Sequence, residues 1–306
     1  MKLEGLFRFV ATILVLTLIT GVAVLVNPQG VVSAVTVVVN TNSDTDDGAC
    51  NTTHCSLREA VKYSSAATTI SFAPSISGLV IDISSTLVID KNLVIDNSSN
   101  SAMVFLDGNN TVRILQVNNG ISLTIKKLGF IAGNSGGGYG GAILNDGGVV
   151  TIDDGYFTSN RAQQGGAIRN SSGTVNITKS FFSTNYAVLT GGNGGAISND
   201  GVPATLNVID SSFTNNQADY RGGAIWNSGT LNVTGSTFAS NQTLDYDGGA
   251  IYSYSGATTT ISNSTFTGNT AGNIPRITNL GSAVFAGGAL TMVNSTLSGN
   301  DGNGGV

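Results

Sequence analysis

Gly165-Gly166-Ala167-Ile168-Arg169-Asn170-Ser171-Ser172-Gly173-Thr174-Val175-Asn176-Ile177-Thr178-Lys179-Ser180-Phe181-Phe182-Ser183-Thr184-Asn185 is the stretch on which the reading of this chain turns. A glycine pair opens it, a short β-branched run sits in the middle, and Phe182-x-x-Asn185 closes it. The same order recurs along the sequence. Gly-Gly-Ala-Ile tetrads begin at Gly140, Gly165, Gly194, Gly222 and Gly248, 25 to 29 residues apart. Between them fall Phe157 with Asn160, Phe182 with Asn185, Phe213 with Asn216, Phe238 with Asn241, and Phe266 with Asn269. A degenerate round follows as Gly281-Ser282-Ala283-Val284, Leu290 to Val293, and Leu297 with Asn300.

Each repeat holds three strand-length pieces separated by Gly, Asn, Asp and Ser, too short for helices at these propensities. Three strands per repeat make one triangular coil. Its inward residues are the tetrad Ile, the second-strand Ile152, Ile177, Val208, Val233 or Ile261, and the Phe. So few apolar side chains cannot offset the ordering of a whole coil, so coils are stable only when stacked. Stacking about 4.8 Å apart lets each strand hydrogen-bond to the coils above and below. The expected fold is therefore all-β, a right-handed parallel β-helix with a small N-terminal cap. The glycine pair suits a corner where a Cβ would clash. Asn145, Asn170, Asn199 and Asn227, with the Phe-x-x-Asn series, suit amide ladders between coils; ligand binding is the alternative reading of those asparagines.

The rest of the sequence is organised around this period. Lys2 and Arg8 precede an apolar run from Phe9 to Val26, then Asn27-Pro28-Gln29-Gly30 and the small residues Val32-Ser33-Ala34. Residues 1–34 read as an export signal and Val35 as the mature start; an uncleaved anchor is the alternative. Residues 35–70 form the expected cap, with Ser56 as helix N-cap and Glu59 three residues on. Residues 71–134 read as irregular coils, with strands near Leu79–Ile83, Leu87–Ile89, Leu93–Ile95, Val112–Val117 and Leu123–Ile125. Residues 135–306 are the regular repeat. The closing Asn303-Gly304-Gly305-Val306 matches Asn193-Gly194-Gly195-Ala196, so a truncated array with further coils is expected.

Two stretches resemble known families. The alternation of Gly-Gly-Ala-Ile and Phe-x-x-Asn over about residues 130–306 resembles the repeats of chlamydial polymorphic outer membrane proteins. Cys55-Ser56-Leu57-Arg58-Glu59-Ala60 is similar to the hexapeptide of the CSLREA domain, with Asp46-Asp47-Gly48-Ala49-Cys50 before it and Thr69-Ile70-Ser71-Phe72 after it. These resemblances imply an exported bacterial β-helix protein, located at the cell surface, outer membrane or cell envelope, or secreted.

Composition narrows the chemistry. Only 10% of residues are charged and the net charge is −5, with no basic stripe, which argues against a nucleic-acid partner. Cys50 and Cys55 are expected to form a local disulfide pinning the cap, as export permits. A zinc site using His54 with Asp44, Asp46 or Asp47 is the alternative; with no second Cys or His pair, no metal is expected. Because pectate lyases share the scaffold, a polysaccharide lyase or glycoside hydrolase is the rival function, with Ca2+ as its cofactor. Its candidate residues are Asp146, Arg169 and Asp200. The two aspartates share an outward column but stand about 9.5 Å apart by strand spacing, too far to share one calcium. Asp153 and Asp154 point to opposite faces of a strand, and nothing pairs His54 with a serine.

A binding face is the stronger expectation. Trp226, Tyr252 and Tyr254 fall on adjacent outward positions, while Tyr139, Tyr220 and Tyr246 lie one or two residues before a tetrad, near Asp219, Asp245 and Asp247. Aromatics stacked along a solenoid hold sugars or a protein ligand, although cross-strand packing alone also explains them. The expected function is a non-enzymatic adhesin-like or structural module. Its partner would be a carbohydrate or a host or cell-surface ligand, with membrane contact only through the signal segment or an anchor beyond residue 306.

Overall fold

The computed structural model describes residues 35–188, 191–272 and 281–302. The expected signal at residues 1–34 and the closing Asn303–Val306 lie outside the described residues. Within them, strand Thr174–Thr178 shows how the sequence makes the fold. Val175 and Ile177 point inward and are buried, while Thr174, Asn176 and Thr178 face out. The backbone pairs in parallel with Val149–Asp153 on one side and Thr205–Ile209 on the other. Alternating side chains leave one apolar face per coil, and among the described residues those faces pack together into one core.

Repeating that step builds a parallel β-solenoid. A ten-stranded sheet runs from Thr36–Val39 to Ala289–Val293, a nine-stranded one from Val80–Asp82 to Thr296–Ser298, and an eight-stranded one from Leu87–Ile89 to Val284–Ala286. The coils are not simple triangles. Arg161–Ala162, Tyr186–Ala187, Gln217–Ala218 and Gln242–Thr243 form a fourth ladder of two-residue strands just after Phe-x-x-Asn. In the irregular region only Leu115–Val117 of the expected Val112–Val117 is strand, and Val104–Asp107 and Leu128–Ile131 are added.

Corners are made by single residues in the left-handed region. Lys179 (φ 49°), Asp154 (φ 56°) and Asp210 (φ 49°) follow the ten-stranded sheet, and Ser159 (φ 57°), Thr184 (φ 55°) and Asn215 (φ 54°) follow the nine-stranded one. That conformation is unfavourable for a β-branched residue such as Thr184. The next residue holds it in place. The Asn185 amide donates to the Phe157 carbonyl (3.0 Å) and to Asn216 Oδ1 (2.9 Å), while accepting from Asn160 Nδ2 (2.9 Å). This ladder continues through Asn241, Asn269 and Asn300. A second runs from Asn145 through Asn170 and Asn199 to Asn227 at 2.7 to 2.8 Å. At the other corner the backbone N–H of Ser180 donates to Ser211 Oγ and that of Ser211 to Ser236 Oγ. This serine column was not foreseen from sequence.

Inside, Phe130, Phe157, Phe182, Phe213, Phe238 and Phe266 stack with centroids 4.5 to 4.8 Å apart and planes within 6° of parallel. The glycine pair is demanded twice over. Gly165 has φ +63°, and a Cβ on Gly166 would stand 2.2 Å from the Gly195 carbonyl oxygen.

At the N-terminal end the ladder already includes Thr36–Val39, paired with Thr68–Phe72, inside the stretch read as a separate cap. Helix α1 (Leu57–Tyr63) opens with the capping box read from the sequence: Ser56 accepts from the Glu59 backbone, and the Glu59 carboxylate accepts from the Ser56 backbone. Leu57, Ala60 and Val61 join the same core as Val39 and Ile70. The Cys50 and Cys55 sulfurs meet beside it, their Cα atoms 4.2 Å apart. No helix among the described residues is long and apolar enough to cross a membrane.

The ladder makes a sharp prediction. Asn185→Ala removes the acceptor of the buried Asn160 backbone N–H and one partner each from the Asn160 side-chain amide, the Phe157 carbonyl and Asn216 Oδ1, and should cost at least about 2 kcal/mol by urea unfolding. Asn207→Ala, in an outward-facing amide row, should stay within about 0.5 kcal/mol.

Candidate functional site

The eight-stranded sheet presents an outward column made by register alone: Leu144, Arg169, Ser198, Trp226, Tyr252 and Phe285 are successive partners. Two residues on, Asp146, Ser171 and Asp200 form a second column. A third precedes the tetrads, with Tyr139, Gln164, Asn193 and Arg221 joined by parallel bridges. The glycine corner between the third and first columns is so tight that side chains of neighbouring coils meet across it.

Arg169 is held from three sides. It forms an ion pair with Asp200, donates from Nη1 to Gln164 Oε1 (2.8 Å), and lies 3.8 Å from the centre of the Tyr139 ring. Asp200 also accepts from Ser228 Oγ at 3.4 Å. Asp146 is exposed and stands two strands from Asp200, with Ser171 between them. The structure therefore joins Arg169 to Asp200 and leaves Asp146 apart. Of the other acids, Asp44 binds Arg58 and Ser84, Asp46 binds Lys62 and Tyr63, and Asp154 is a corner residue.

The aromatic residues fall into two groups. Tyr220 and Tyr246 lie with ring centres 4.0 Å apart, and the Arg221 guanidinium sits 4.6, 5.1 and 5.0 Å from the rings of Tyr220, Tyr246 and Tyr252. Trp226 and Tyr254 form the other, 6.3 Å apart and tilted at 44°. Tyr254 is open to solvent, but Tyr252 is only 7% exposed and stacks on Phe285 at 4.7 Å, so it floors the group rather than offering a free ring. Arg221 was missed from the sequence. The signal was there, since it is the one cation of its column and follows Tyr220 directly. Its Nε is buried without a hydrogen-bond partner, and a guanidinium over aromatic faces is attracted by their quadrupoles.

Two phenols of this group ionise with more difficulty than usual. A hydrogen bond shared with Tyr220, and then the charge that Tyr220 itself would carry, push Tyr246 up. Burial is the main cause for Tyr252, partly opposed by the positive charge of Arg221. Chemically, the arrangement offers flat apolar faces beside one fixed positive charge and the Tyr220 and Tyr246 hydroxyls. Those are groups suited to a polyol or a carboxylate-bearing sugar.

Residues 210–228 match the model of the Chlamydia polymorphic membrane protein repeat. That window contains Phe213, Asn216, the Gly222–Ile225 tetrad, Tyr220, Arg221 and Trp226. No curated protein matches the chain.

Tyr220→Phe should bring the Tyr246 ionisation back down toward the ordinary phenol range. Ultraviolet difference titration against the unaltered protein at alkaline pH measures it, and an unchanged curve would show that Tyr220 does not hold the Tyr246 proton.

Proposed function

We propose that this chain is a cell-surface β-helix module that binds a carbohydrate ligand, without catalysis, through the face built by Tyr220, Arg221, Trp226, Tyr246, Tyr252 and Tyr254. The observation that carries this reading is the Arg221 guanidinium set among three tyrosine rings from two coils. Salt bridging alone does not call for three aromatic rings around one surface arginine. The repeat match at residues 210–228 supports an outer-membrane or cell-surface location and an adhesin-like role. Parallel crossovers within one sheet wind right-handed almost without exception, and that hand is part of the reading. So are export by residues 1–34, a capping role for the helix at Leu57–Tyr63, and a Cys50–Cys55 disulfide. The Arg169–Asp200 pair is assigned a structural role, since the Asp200 carboxylate is already engaged by Arg169 and Ser228 and no second carboxylate among the described residues stands beside it to help hold calcium.

Trp226 is the only tryptophan of the chain, so intrinsic fluorescence reports directly on this face. Titration with soluble polysaccharides, including polygalacturonate and dextran, should give a saturable change with at least one of them. Arg221→Ala should weaken that binding at least roughly tenfold. Flat titrations throughout would sink the binding reading. Calcium-dependent appearance of unsaturated uronate products, lost in Asp200→Ala, would replace it with a polysaccharide lyase.

A further inference from the structure

Asp47, His54 and Glu59 meet at the N-terminal end of the solenoid, far from the repeat face, and their potential ligand atoms all lie within 4.8 Å of one another. His54 Nδ1 is 3.1 Å from Glu59 Oε2 and 3.4 Å from Asp47 Oδ2. It is buried, yet makes a hydrogen bond of acceptable geometry to neither carboxylate. The Glu59 side chain is fully buried, and each of its oxygens already accepts one backbone N–H, from Asp47 and from Ser56, both at 2.8 Å. Those donors fix the carboxylate's position and leave further lone pairs free.

The distances at Nδ1 fit the edges of a metal site. A tetrahedral ion with N and O ligands at about 2.0 to 2.1 Å has ligand-to-ligand edges of about 3.3 to 3.4 Å. The two edges at Nδ1 come close to that. A protonated imidazole satisfied by one carboxylate would aim its N–H along a single short hydrogen bond. Here two carboxylates flank a buried Nδ1 that bonds properly to neither.

We infer that Asp47 Oδ2, His54 Nδ1 and Glu59 Oε2 form a three-ligand site for a divalent transition ion, zinc by donor type. The mixed nitrogen and oxygen set suits zinc rather than calcium or magnesium, which take oxygen ligands. Asp47 is half-exposed, leaving an approach for the ion and a fourth position for water. The metal would tie the loop carrying Asp47 and His54 to the first turn of α1. This site does not depend on the carbohydrate face. The sequence pointed away from it because a structural zinc was sought in Cys and His pairs, whereas the third ligand here is the capping glutamate.

The test uses purified protein without a polyhistidine tag, stripped by chelator and titrated with Zn2+ against a chromophoric zinc indicator. The expected result is one equivalent bound and a higher thermal midpoint with zinc. His54→Ala and Asp47→Asn alter half-exposed or partly exposed side chains and leave the Glu59 capping box intact. Each should weaken binding on the order of 100-fold or more, while Asp210→Asn, at an exposed corner, should not. Absence of zinc binding, or wild-type stoichiometry and affinity in His54→Ala, would overturn the site and leave only a packing contact of His54 with two carboxylates.

Discussion

A primary amide buried in a protein interior has two N–H donors and a carbonyl to satisfy, and one coil of this chain cannot satisfy them. Asn185 does so only because Asn160 lies one strand spacing before it and Asn216 one strand spacing after it. The same bonds hold the left-handed corner at Thr184, since the backbone N–H of Asn185 itself donates to Asn216 Oδ1 (3.1 Å). An unpaired amide here would carry the full desolvation penalty of a buried polar group. The ladders therefore enforce register as well as stability, because a slip by one residue would turn every asparagine and phenylalanine outward. Sheet pairing, the Phe stack and the tight glycine corners all presuppose that register.

Once register is enforced, residues some 25 to 30 positions apart in the chain become lateral neighbours about 4.8 Å apart. This is how a sequence poor in charge assembles local concentrations of chemistry. Tyr220 and Arg221 meet Tyr246 and Tyr252 of the next coil, and Arg169 reaches Tyr139 of the coil before and Asp200 of the coil after. The glycine corner contributes by its lack of side chains, bringing the segment before each tetrad against the outward column. Surface chemistry on this solenoid is thus a matter of columns rather than of motifs.

The N-terminal end follows a different logic. There the period is lost and individual side chains carry several roles at once. Glu59 completes the capping box of α1, accepts the Asp47 N–H and faces His54. Asp44 and Asp46 are each tied to a cation of the same helix. A segment without coil-to-coil ladders on both sides is held by such individual bonds instead.

The periodic sequence determined the class of fold. Tetrad glycines, inward Val and Ile, the Phe column and both Asn columns were all legible, because each recurs at a spacing only a stacked coil explains. The capping box at Ser56 and Glu59 was legible for a local reason, being complete within four residues. What tertiary structure alone decided was whatever depends on atoms meeting across coils or across loops. The serine column and the fourth short ladder do leave a period, with Ser180, Ser211, Ser236 and Ser264 two residues before each Phe and Ala162, Ala187, Ala218 and Thr243 two residues after each Asn; the left-handed Lys179 and Thr184, the rings that meet around Arg221 and the convergence of Asp47, His54 and Glu59 do not. Their positions follow from corner geometry and coil spacing, which arise only when the stack has closed on its own register.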